Sequence, residues 1–379
     1  MGYYKNLKNK LLALLLLLFI SVIAVLHLLA VDRSFSESEN RMLKQLPHLS
    51  LKALLSGDFT ADFEKYVSDQ FVFRDFWIGA KTDVDRLLGK KESNGVYLGT
   101  NGYLIQDVIS PAEEDLREKL EAIHSFDQAT TEMNKYVMLV PTAAALYKDK
   151  LPKYAIIGDQ EAYLKKVKQW LNPNIRFIDV FPSLYAARDQ PIYYKTDHHW
   201  TTKGAYIAYL ELCRQMGLTP QEEEEFNIQQ VTDVFYGSLY SKSGFRHVQS
   251  DRLELYMSKD QEKYTVTYVD EEKTTDSLYA MEQLLRKDKY AVFLNGNHAR
   301  IHIKTANPSD RKLLVVKDSY ANSLIPFLIK HFSEIHVVDL RYYDEDLASF
   351  VNEQGIQDML LLYNANTFFE DPSIKNVTE

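Results

Sequence analysis

Cysteine is almost absent from the sequence, and its scarcity excludes several arrangements. The 379 residues include one cysteine, Cys213, so no disulfide can form within the chain. Cys213 lies among apolar neighbours in a segment of helical pattern, which predicts a buried structural thiol rather than a nucleophile. No cysteine stands directly after the apolar run near the N-terminus, so lipoprotein processing at that run is excluded. A protein with a large core can be stable without disulfides, so their absence does not exclude a location outside the cytoplasm.

Excess positive charge is also missing. The formal net charge is −9, whereas nucleic-acid binding needs clustered Lys and Arg side chains, so we expect no nucleic-acid partner. The remaining composition, 46% hydrophobic and 26% charged, is that of a globular protein with enough apolar residues for one large core. The 25 tyrosines suit sugar-binding surfaces as well as cores, and we expect most of them in the core.

One long apolar segment is present near the N-terminus. Three lysines precede an almost unbroken apolar run over residues 11–31. At 1.5 Å per residue this run spans roughly the 30 Å hydrocarbon core of a bilayer. Basic residues before the run favour a cytoplasmic start. We therefore expect residues 1–10 as a cytoplasmic tail, 11–31 as an uncleaved transmembrane signal anchor and the rest outside the cell membrane, with a cleaved signal peptide as the alternative.

Short apolar runs alternate with helical patterns through most of the remaining chain. Residues 32–50 are interpreted as a linker and 51–379 as one domain. Within this domain, 51–90 has helical spacing, and 220–287 interrupts the alternation and is interpreted as an insertion. Asn101-Gly102 between two apolar runs predicts a hairpin over 95–105. Strands are predicted at 136–140, 175–180, 290–294, 313–316, 335–338 and 359–363, and helices at 111–124, 160–171, 201–216 and 320–332. This order predicts an α/β fold with a mostly parallel sheet covered by helices on both faces.

The segment KLLVVKDSYANS at 312–323 predicts a buried strand followed by a helix. The strand ends at Lys317 and the helix begins just after Ser319, so this serine is expected at the carboxyl edge of the sheet. A helix N-terminus there favours negative charge on an attacking oxygen or an oxyanion. The alternative is that Asp318 or Ser319 is only an N-cap, and this segment taken alone favours the cap.

The segment YYKTDHHWTTKGAY at 193–206 groups an acid and two histidines before a predicted helix. A serine nucleophile needs a base, and the base needs an acceptor that fixes its tautomer. Asp197 and His199 are two residues apart, so in extended backbone their side chains leave on one face while that of His198 leaves on the other. The Asp197 carboxylate could then hold one imidazole nitrogen of His199 and leave the other for Ser319, and this triad is the first interpretation of the segment.

Two other interpretations of this segment stay open. The second is a structural knot of hydrogen bonds that braces the loop. The third is a metal site, because neighbouring Asp and His suit zinc or iron, with His298 and His302 as further ligands. These two histidines lie on a strand-like run, and we expect neither a metal nor another cofactor.

The segment FLNGNH at 293–298 places two asparagines and a glycine in a tight turn. Gly296 allows the backbone to approach a ligand, and the amide of Asn295 or Asn297 can donate to an oxyanion. An ordinary turn is the alternative, since Asn-Gly is common in turns.

Together these segments resemble the DHHW family of Gram-positive bacterial proteins, which is named for the tetrapeptide found here at 197–200. Further segments share the resemblance: FSESENRML at 35–43, DQFVFRDFW at 69–77, YGSLYSKSG at 236–244, FLNGNH at 293–298 and KDSY at 317–320. The family is similar in turn to the SGNH-hydrolase-like group that includes the alginate O-acetylation proteins of Pseudomonas. In that group the catalytic arrangement is circularly permuted, with the Asp-x-His motif before the serine, as it is here. The resemblance implies a three-layer sandwich.

The resemblance also implies catalytic roles. Asp197 would orient the imidazole, His199 would be the general base and Ser319 the nucleophile. The Ser319 N–H and Asn297 would form the oxyanion hole. The family's expected Gly-Gly-Asn reads Asn295-Gly296-Asn297 here, which leaves open which amide faces the oxyanion.

The YGSLYSKSGFRH stretch gives further candidates. Tyr240, Ser243 and Arg246 are expected to line the cleft, with a structural loop as the alternative.

The function implied is a membrane-anchored, extracytoplasmic O-acetyltransferase that modifies a cell-surface or secreted polysaccharide. Because acetyl donors are cytoplasmic, a membrane-bound acyltransferase of the MBOAT type is the expected partner. A carbohydrate esterase with the same triad, and a non-catalytic polysaccharide assembly protein, are the alternatives.

Overall fold

The structure, a computed structural model, describes residues 2–36, 39, 41–260 and 263–378. Residues 37, 38 and 40 of the FSESENRML segment therefore lie outside the described residues. The chain divides into two compact units. The smaller contains Met1–Lys90 and Gly244–Arg246, and the larger contains Lys91–Ser243 and His247–Glu379. The helices of 51–90, which the sequence analysis assigns to the main domain, are thus described with the smaller unit.

The smaller unit is mainly helical, as the spacing of apolar residues over 51–90 predicts. Its elements are α1 (Gly2–Leu29), β1 (Phe35–Ser36), β2 (Arg41–Met42), α2 (Leu51–Ser56), α3 (Asp58–Asp69) and α4 (Arg74–Leu87). Within α1, the 24 residues Asn6–Leu29 are long and apolar enough to cross a membrane. Strands β1 and β2 pair antiparallel.

The larger unit alternates strands and helices. Its strands are β3 (Glu92–Ser93), β4 (Val96–Leu98), β5 (Leu104–Gln106), β6 (Asn134–Val140), β7 (Ile175–Phe177), β8 (Phe226–Phe235), β9 (Asp251–Ser258), β10 (Tyr264–Tyr268), β11 (Lys273–Thr275), β12 (Arg300–Thr305), β13 (Lys312–Lys317), β14 (Glu334–Val338) and β15 (Asp358–Asn364). Its helices are α5 (Glu113–Ala129), α6 (Ala143–Leu146), α7 (Gln160–Trp170), α8 (Phe181–Ala186), α9 (Thr202–Met216), α10 (Ser238–Ser243), α11 (Leu347–Gln354) and α12 (Ala365–Glu370).

The main sheet of the larger unit has eight strands in the order β11-β10-β12-β14-β13-β15-β6-β7. The five strands from β14 to β7 run parallel, and β12, β10 and β11 extend one edge antiparallel. The central strands are apolar along their length because core residues cover both faces: Leu313 and Val315 of β13 pack into one cluster, Leu314 and Val316 into the other. The predicted mostly parallel α/β sheet is confirmed.

Several local predictions are confirmed. Strands β4 and β5 form the predicted hairpin, with Asn101 and Gly102 in left-handed backbone at its turn. The side chain of Thr201 caps α9 by accepting from the Gly204 N–H. Cys213 is fully buried, and burial raises the pKa of its thiol to about 12. Residues 220–287 contain the separate β8–β9 ribbon as well as β10 and β11, which join the edge of the main sheet.

Two predicted elements are wrong. The helix expected over 320–332 is replaced by two short 3₁₀ segments, Ser319–Ser323 and Ile325–Leu328, and Pro326 at the start of the second lacks the N–H that an α-helix would need. The strand expected over 290–294 is a 3₁₀ turn, Lys289–Val292. Its apolar residues are buried in a small cluster, and a short apolar run does not distinguish a strand from another buried segment.

Candidate active site

Asp197, His199 and Ser319 form a continuous chain of hydrogen bonds. His199 Nδ1 lies 2.6 Å from Asp197 Oδ1, and His199 Nε2 lies 2.7 Å from Ser319 Oγ. Because an ionised carboxylate only accepts, Nδ1 donates to Asp197 and Nε2 is left to accept the serine proton. Asp197 and His199 are buried, whereas Ser319 is partly exposed. The two segments that the sequence analysis expected to meet are therefore in contact.

The loop that carries the acid and the base is closed on itself. Tyr193 and Trp200 form an antiparallel bridge at its two ends. Inside the loop, Asp197 Oδ1 also accepts from the backbone N–H of His199 at 2.9 Å. The two-residue spacing thus lets one carboxylate oxygen fix both the backbone and the imidazole of the same histidine.

A glycine makes room for the Asp197 carboxylate. The other oxygen of Asp197 accepts from the Ser238 N–H at 2.7 Å. A β-carbon placed on Gly237 would lie 2.2 Å from Asp197 Oδ2. Since real β-carbons do not approach so closely, any other residue at 237 would displace the carboxylate or the loop.

Opposing effects act on the Asp197 carboxyl group. Burial alone would raise its pKa. The charges of His199 and His198, with the hydrogen bonds from His199 and the Ser238 N–H, outweigh burial and hold the pKa of Asp197 far below its usual range. Asp197 is therefore ionised at neutral pH and can stabilise an imidazolium.

The indole of Trp200 joins the loop that carries His199 to the turn that carries Ser319. It is fully buried, and its Nε1–H donates to the Tyr320 carbonyl and to Ser323 Oγ, both at 3.0 Å. On the other side, the Tyr320 hydroxyl donates to the His198 carbonyl. Reciprocal hydrogen bonds thus hold the two distant segments in register.

Tyr290 supports the imidazole from above. Its ring stacks on that of His199, with centroids 3.7 Å apart and planes 8° apart. Its hydroxyl donates to Ser323 Oγ at 3.0 Å and lies 3.3 Å from the Ser319 carbonyl. Tyr290 lies in the 290–294 segment predicted as a strand, and nothing local in the sequence indicates this stacking or a place at the site.

His198 lies beside the triad but outside it. Its Nδ1 lies 2.6 Å from Ser238 Oγ, and its ring lies against that of His199 with centroids 3.8 Å apart. Burial, followed by the charge of His199, lowers the pKa of His198 to about 4. His198 is therefore neutral at neutral pH.

The turn that holds Ser319 differs from the predicted helix start. Ser319 begins a five-residue 3₁₀ segment capped by Asp318, whose Oδ1 accepts from the Tyr320 N–H at 2.9 Å. Asp318 Oδ2 accepts from the Asn364 N–H at 2.9 Å, and burial raises the pKa of this carboxyl group. A segment of this length has no helix dipole of the expected size. What it offers instead is the N–H of Ser319, which has no acceptor among the described residues.

The Asn-Gly-Asn turn lies next to this segment. Asn297 Oδ1 accepts from Lys317 Nζ at 2.7 Å and from Asn322 Nδ2 at 3.2 Å. Both bonds fix the amide of Asn297, which is exposed, so that its Nδ2 is left to donate elsewhere. Burial lowers the pKa of Lys317 to about 8, against the opposing charge of Asp339.

The first asparagine of the turn has a different role. Asn295 Oδ1 accepts from Gln283 Nε2 at 2.6 Å, so its side chain braces the turn. Leu294, Asn295 and Gly296 all have positive φ, and Gly296 at 95° is in the region that suits glycine. Asn297 is therefore the better candidate of the two asparagines for contact with a ligand.

Of the three residues expected to line the cleft, Tyr240 and Ser243 lie on α10 of the larger unit, and Arg246 lies in the smaller unit. The Tyr240 N–H donates to the Thr196 carbonyl at 2.9 Å, and Ser243 is buried with its hydroxyl 3.4 Å from the Tyr240 carbonyl. Arg246 belongs to the smaller unit, where its guanidinium pairs with Asp83 at 3.0 Å.

The histidines considered as extra metal ligands are engaged elsewhere. His298 Nδ1 lies 2.6 Å from Glu271, and His302 Nε2 lies 2.8 Å from Glu334. Among the residues described, the only potential ligands grouped with His199 are Asp197 and His198, without His298 or His302.

A cavity of about 230 Å³ lies beside His198. Its lining includes Gln106, Ser238, Lys242 and Glu370. The side chains of Gln106, Lys242 and Glu370 have no hydrogen-bond or ion-pair partner among the described residues, whereas the amides that line the inner wall are bonded within the fold. The cavity therefore combines a fixed wall with free polar groups.

Comparisons with known proteins give one family and a common fold. A family model described as DHHW protein matches residues 122–338. The crystal structure of a DHHW family protein from Eubacterium siraeum is similar, with a TM-score of 0.67 and 25% identity, over 76% of this chain and 97% of that one. The structure of Bacillus cereus PatB1 with a sulfonyl adduct is similar with a TM-score of 0.63 and 18% identity, over 75% of this chain and 100% of that one. The O-acetyltransferase domain of Pseudomonas putida AlgJ matches with a TM-score of 0.47 and 15% identity, over 74% of this chain and 99% of that one. No curated protein sequence matches significantly.

Replacement of Trp200 tests the link between the two segments. We expect Trp200→Phe to lower the free energy of unfolding by about 2–4 kcal/mol, because it leaves a cavity and removes the donor of two buried acceptors. Denaturant unfolding of the detergent-solubilised chain measures this. Trp170→Phe, at a partly exposed ring, is the control with an expected change under about 1 kcal/mol. Equal losses for the two variants would contradict the role of Trp200.

The lowered pKa of His198 predicts a pH dependence of stability. The pKa of a histidine in an unfolded chain is about 6.5, whereas the pKa of His198 in the folded protein is about 4. Between these two pH values the unfolded chain therefore binds more protons than the folded protein. The contribution of His198 to stability is therefore lost as pH falls through this window. In His198→Gln the free energy of unfolding should fall less between pH 7 and pH 4 than in the natural chain, as measured by denaturant unfolding. An unchanged slope would show that His198 does not titrate in this way.

Proposed function

We propose, on the premise that this chain belongs to the DHHW family, that it is a membrane-anchored O-acetyltransferase acting on a cell-surface or secreted polysaccharide. Asp197, His199 and Ser319 are its proposed triad. The observation that carries the proposal is the unbroken hydrogen-bonded chain from the Asp197 carboxylate through the imidazole to the Ser319 hydroxyl. Such a chain is what a serine needs to become a nucleophile at neutral pH.

In the first half-reaction, Ser319 Oγ attacks the carbonyl carbon of an acetyl ester while His199 Nε2 takes the serine proton. Asp197 stabilises the resulting imidazolium. The oxygen that becomes negative is proposed to accept from the Ser319 N–H and from Asn297 Nδ2, because both donors are otherwise unused. Collapse of the tetrahedral intermediate expels the leaving group with the proton from His199 and leaves Ser319 acetylated.

In the second half-reaction, His199 takes the proton of a sugar hydroxyl as that oxygen attacks the acetyl carbonyl. The ester bond to Ser319 breaks, Ser319 Oγ recovers a proton from the imidazolium, and the sugar leaves as its acetyl ester. If water replaces the sugar, the same steps release acetate. An esterase is therefore the second candidate function, favoured by the partial exposure of Ser319.

The cavity beside His198 supports a sugar acceptor. Its free groups are an amide on Gln106, an ammonium on Lys242 and a carboxylate on Glu370, which together carry no net charge. Polar groups of this kind hydrogen-bond hydroxyls, and the fixed wall needs no reorganisation when a sugar enters. We propose that this cavity holds a sugar ring of the acceptor next to the acetylated Ser319.

The proposed location follows from α1. If this helix spans the cell membrane as a signal anchor, the lysines near its N-terminal end stay on the cytoplasmic side and the larger unit is outside. Acetyl donors are made in the cytoplasm, so a membrane-bound acyltransferase of the MBOAT type is the proposed partner that delivers the acetyl group. A circularly permuted SGNH-hydrolase-like three-layer sandwich is the proposed fold lineage.

Replacement of the proposed nucleophile tests the function directly. Ser319→Ala should lower the burst of p-nitrophenol from p-nitrophenyl acetate by about a thousandfold or more, because the acyl-enzyme cannot form. It should also abolish labelling by an aryl sulfonyl fluoride, located by mass spectrometry. Ser125→Ala, at an exposed serine of α5, is the matched control. Labelling and turnover that persist in Ser319→Ala would favour a non-catalytic protein.

Replacement of a cavity residue tests the acceptor site and separates transfer from hydrolysis. With chitopentaose or cellopentaose as acceptor, Gln106→Ala should raise the KM for the oligosaccharide about five- to tenfold, the effect of one lost hydrogen bond, and leave the p-nitrophenol burst unchanged. Gln128→Ala, at an exposed site, is the control. Acetate as the only product with every acceptor would identify an esterase.

A further inference from the structure

We propose that the smaller unit contacts lipid directly, through four rings at the corner between α3 and α4. These rings, called the aromatic corner below, are Phe71, Phe73, Phe76 and Trp77. The proposed partner is the acyl-chain region of the membrane leaflet at the C-terminal end of α1. The inference rests on the membrane anchorage proposed above and is independent of the triad.

The aromatic corner is exposed within the protein. Its four side chains retain between 36% and 60% of their accessible surface. Phe73, the residue before α4, has a φ of 57°, an uncommon backbone for a bulky side chain. Phe76 and Trp77 are in ring contact, with centroids 5.2 Å apart. Large exposed apolar surfaces are unfavourable in water and mark sites that bind a partner or a membrane.

Contacts with α1 indicate which partner covers these rings. Trp77 meets Phe19 edge-on with centroids 6.4 Å apart, and Phe71 meets His27 at 5.8 Å. Both partners lie on Asn6–Leu29, the segment apolar enough to span a bilayer. A surface that continues from the side of a membrane-spanning helix faces the same lipid as that helix.

The spacing of these contacts along α1 indicates how deep in the membrane the aromatic corner lies. Phe19 and His27 are eight residues apart on α1, which corresponds to about 12 Å along a helix axis. His27 is near the end of the helix at Leu29. The aromatic corner therefore lies along a length of α1 comparable to one leaflet, about half of the roughly 30 Å hydrocarbon core. Aromatic side chains are enriched near this boundary.

The polar residues at the start of the same DQFVFRDFW run bind protein rather than lipid. Asp69 accepts from Arg41 at 2.5 Å and from the Lys44 N–H at 2.8 Å. The side chain of Gln70 accepts from the Arg33 N–H at 2.9 Å and donates to the Arg33 carbonyl at 2.9 Å. These bonds fasten the stretch that follows α1 to the end of α3. The run thus has two parts. Its polar residues hold the segment that follows α1, and its aromatic side chains form the surface proposed to contact lipid.

The three tryptophans allow a direct test. Trp77 is the only one in the smaller unit, Trp200 is fully buried and Trp170 lies in the larger unit. The full chain is reconstituted in phosphatidylcholine vesicles with and without bromine on the acyl chains, and tryptophan fluorescence is recorded. We expect bromolipid to quench the natural chain and Trp170→Phe equally, and this quenching to disappear in Trp77→Phe.

Three other results would overturn the inference. Quenching that survives in Trp77→Phe would assign the lipid contact to another part of the chain. Quenching of Trp77 by aqueous acrylamide but not by bromolipid would place the corner in water. Protection from both quenchers would show that protein, such as a second copy of the chain, covers it. Carbonate extraction of the chain from the vesicles would refute the anchorage itself, and sulfonyl labelling of Ser319 in the same sample reports the triad separately.

Discussion

The buried indole of Trp200 is the contact on which the arrangement of the site depends. Its single N–H is shared between the Tyr320 carbonyl and Ser323 Oγ, and both acceptors belong to the turn that begins with Ser319. Because a buried donor without acceptors is costly, the loop and the turn are stable only together. Because Trp200 directly follows His199, this contact also holds the imidazole where it accepts the hydrogen bond of the Ser319 hydroxyl.

A second constraint is the close approach at Gly237. The Asp197 carboxylate occupies the space that a side chain at 237 would need, and the next N–H in the chain donates to it. The acid is thus enclosed by backbone on one side and by imidazole on the other. Burial and charge act in opposite directions on this carboxyl group, and the charge of the neighbouring imidazoles prevails.

What the sequence predicts best is whatever depends on neighbours in the chain. The central strands, the Asn101-Gly102 turn and the Thr201 cap are encoded in short patterns, and so is the pairing of Asp197 with His199. The order of strands in the sheet and the contact with Ser319 are not local, and only the family resemblance indicated that they would meet. The helix expected after Ser319 fails because Pro326 and the bonds of Asp318 favour tighter turns. The stacking of Tyr290 has no local signal at all.

That stacking has a consequence for the energy of the reaction. The face of a tyrosine ring carries partial negative charge, and the imidazole of His199 lies flat against it at 3.7 Å. When the imidazole takes a proton, the new cation meets this face in a cation–π contact, typically worth about 0.5–2 kcal/mol. In the proposed reaction, the Tyr290 ring would therefore stabilise the imidazolium by a contact that the neutral imidazole makes more weakly.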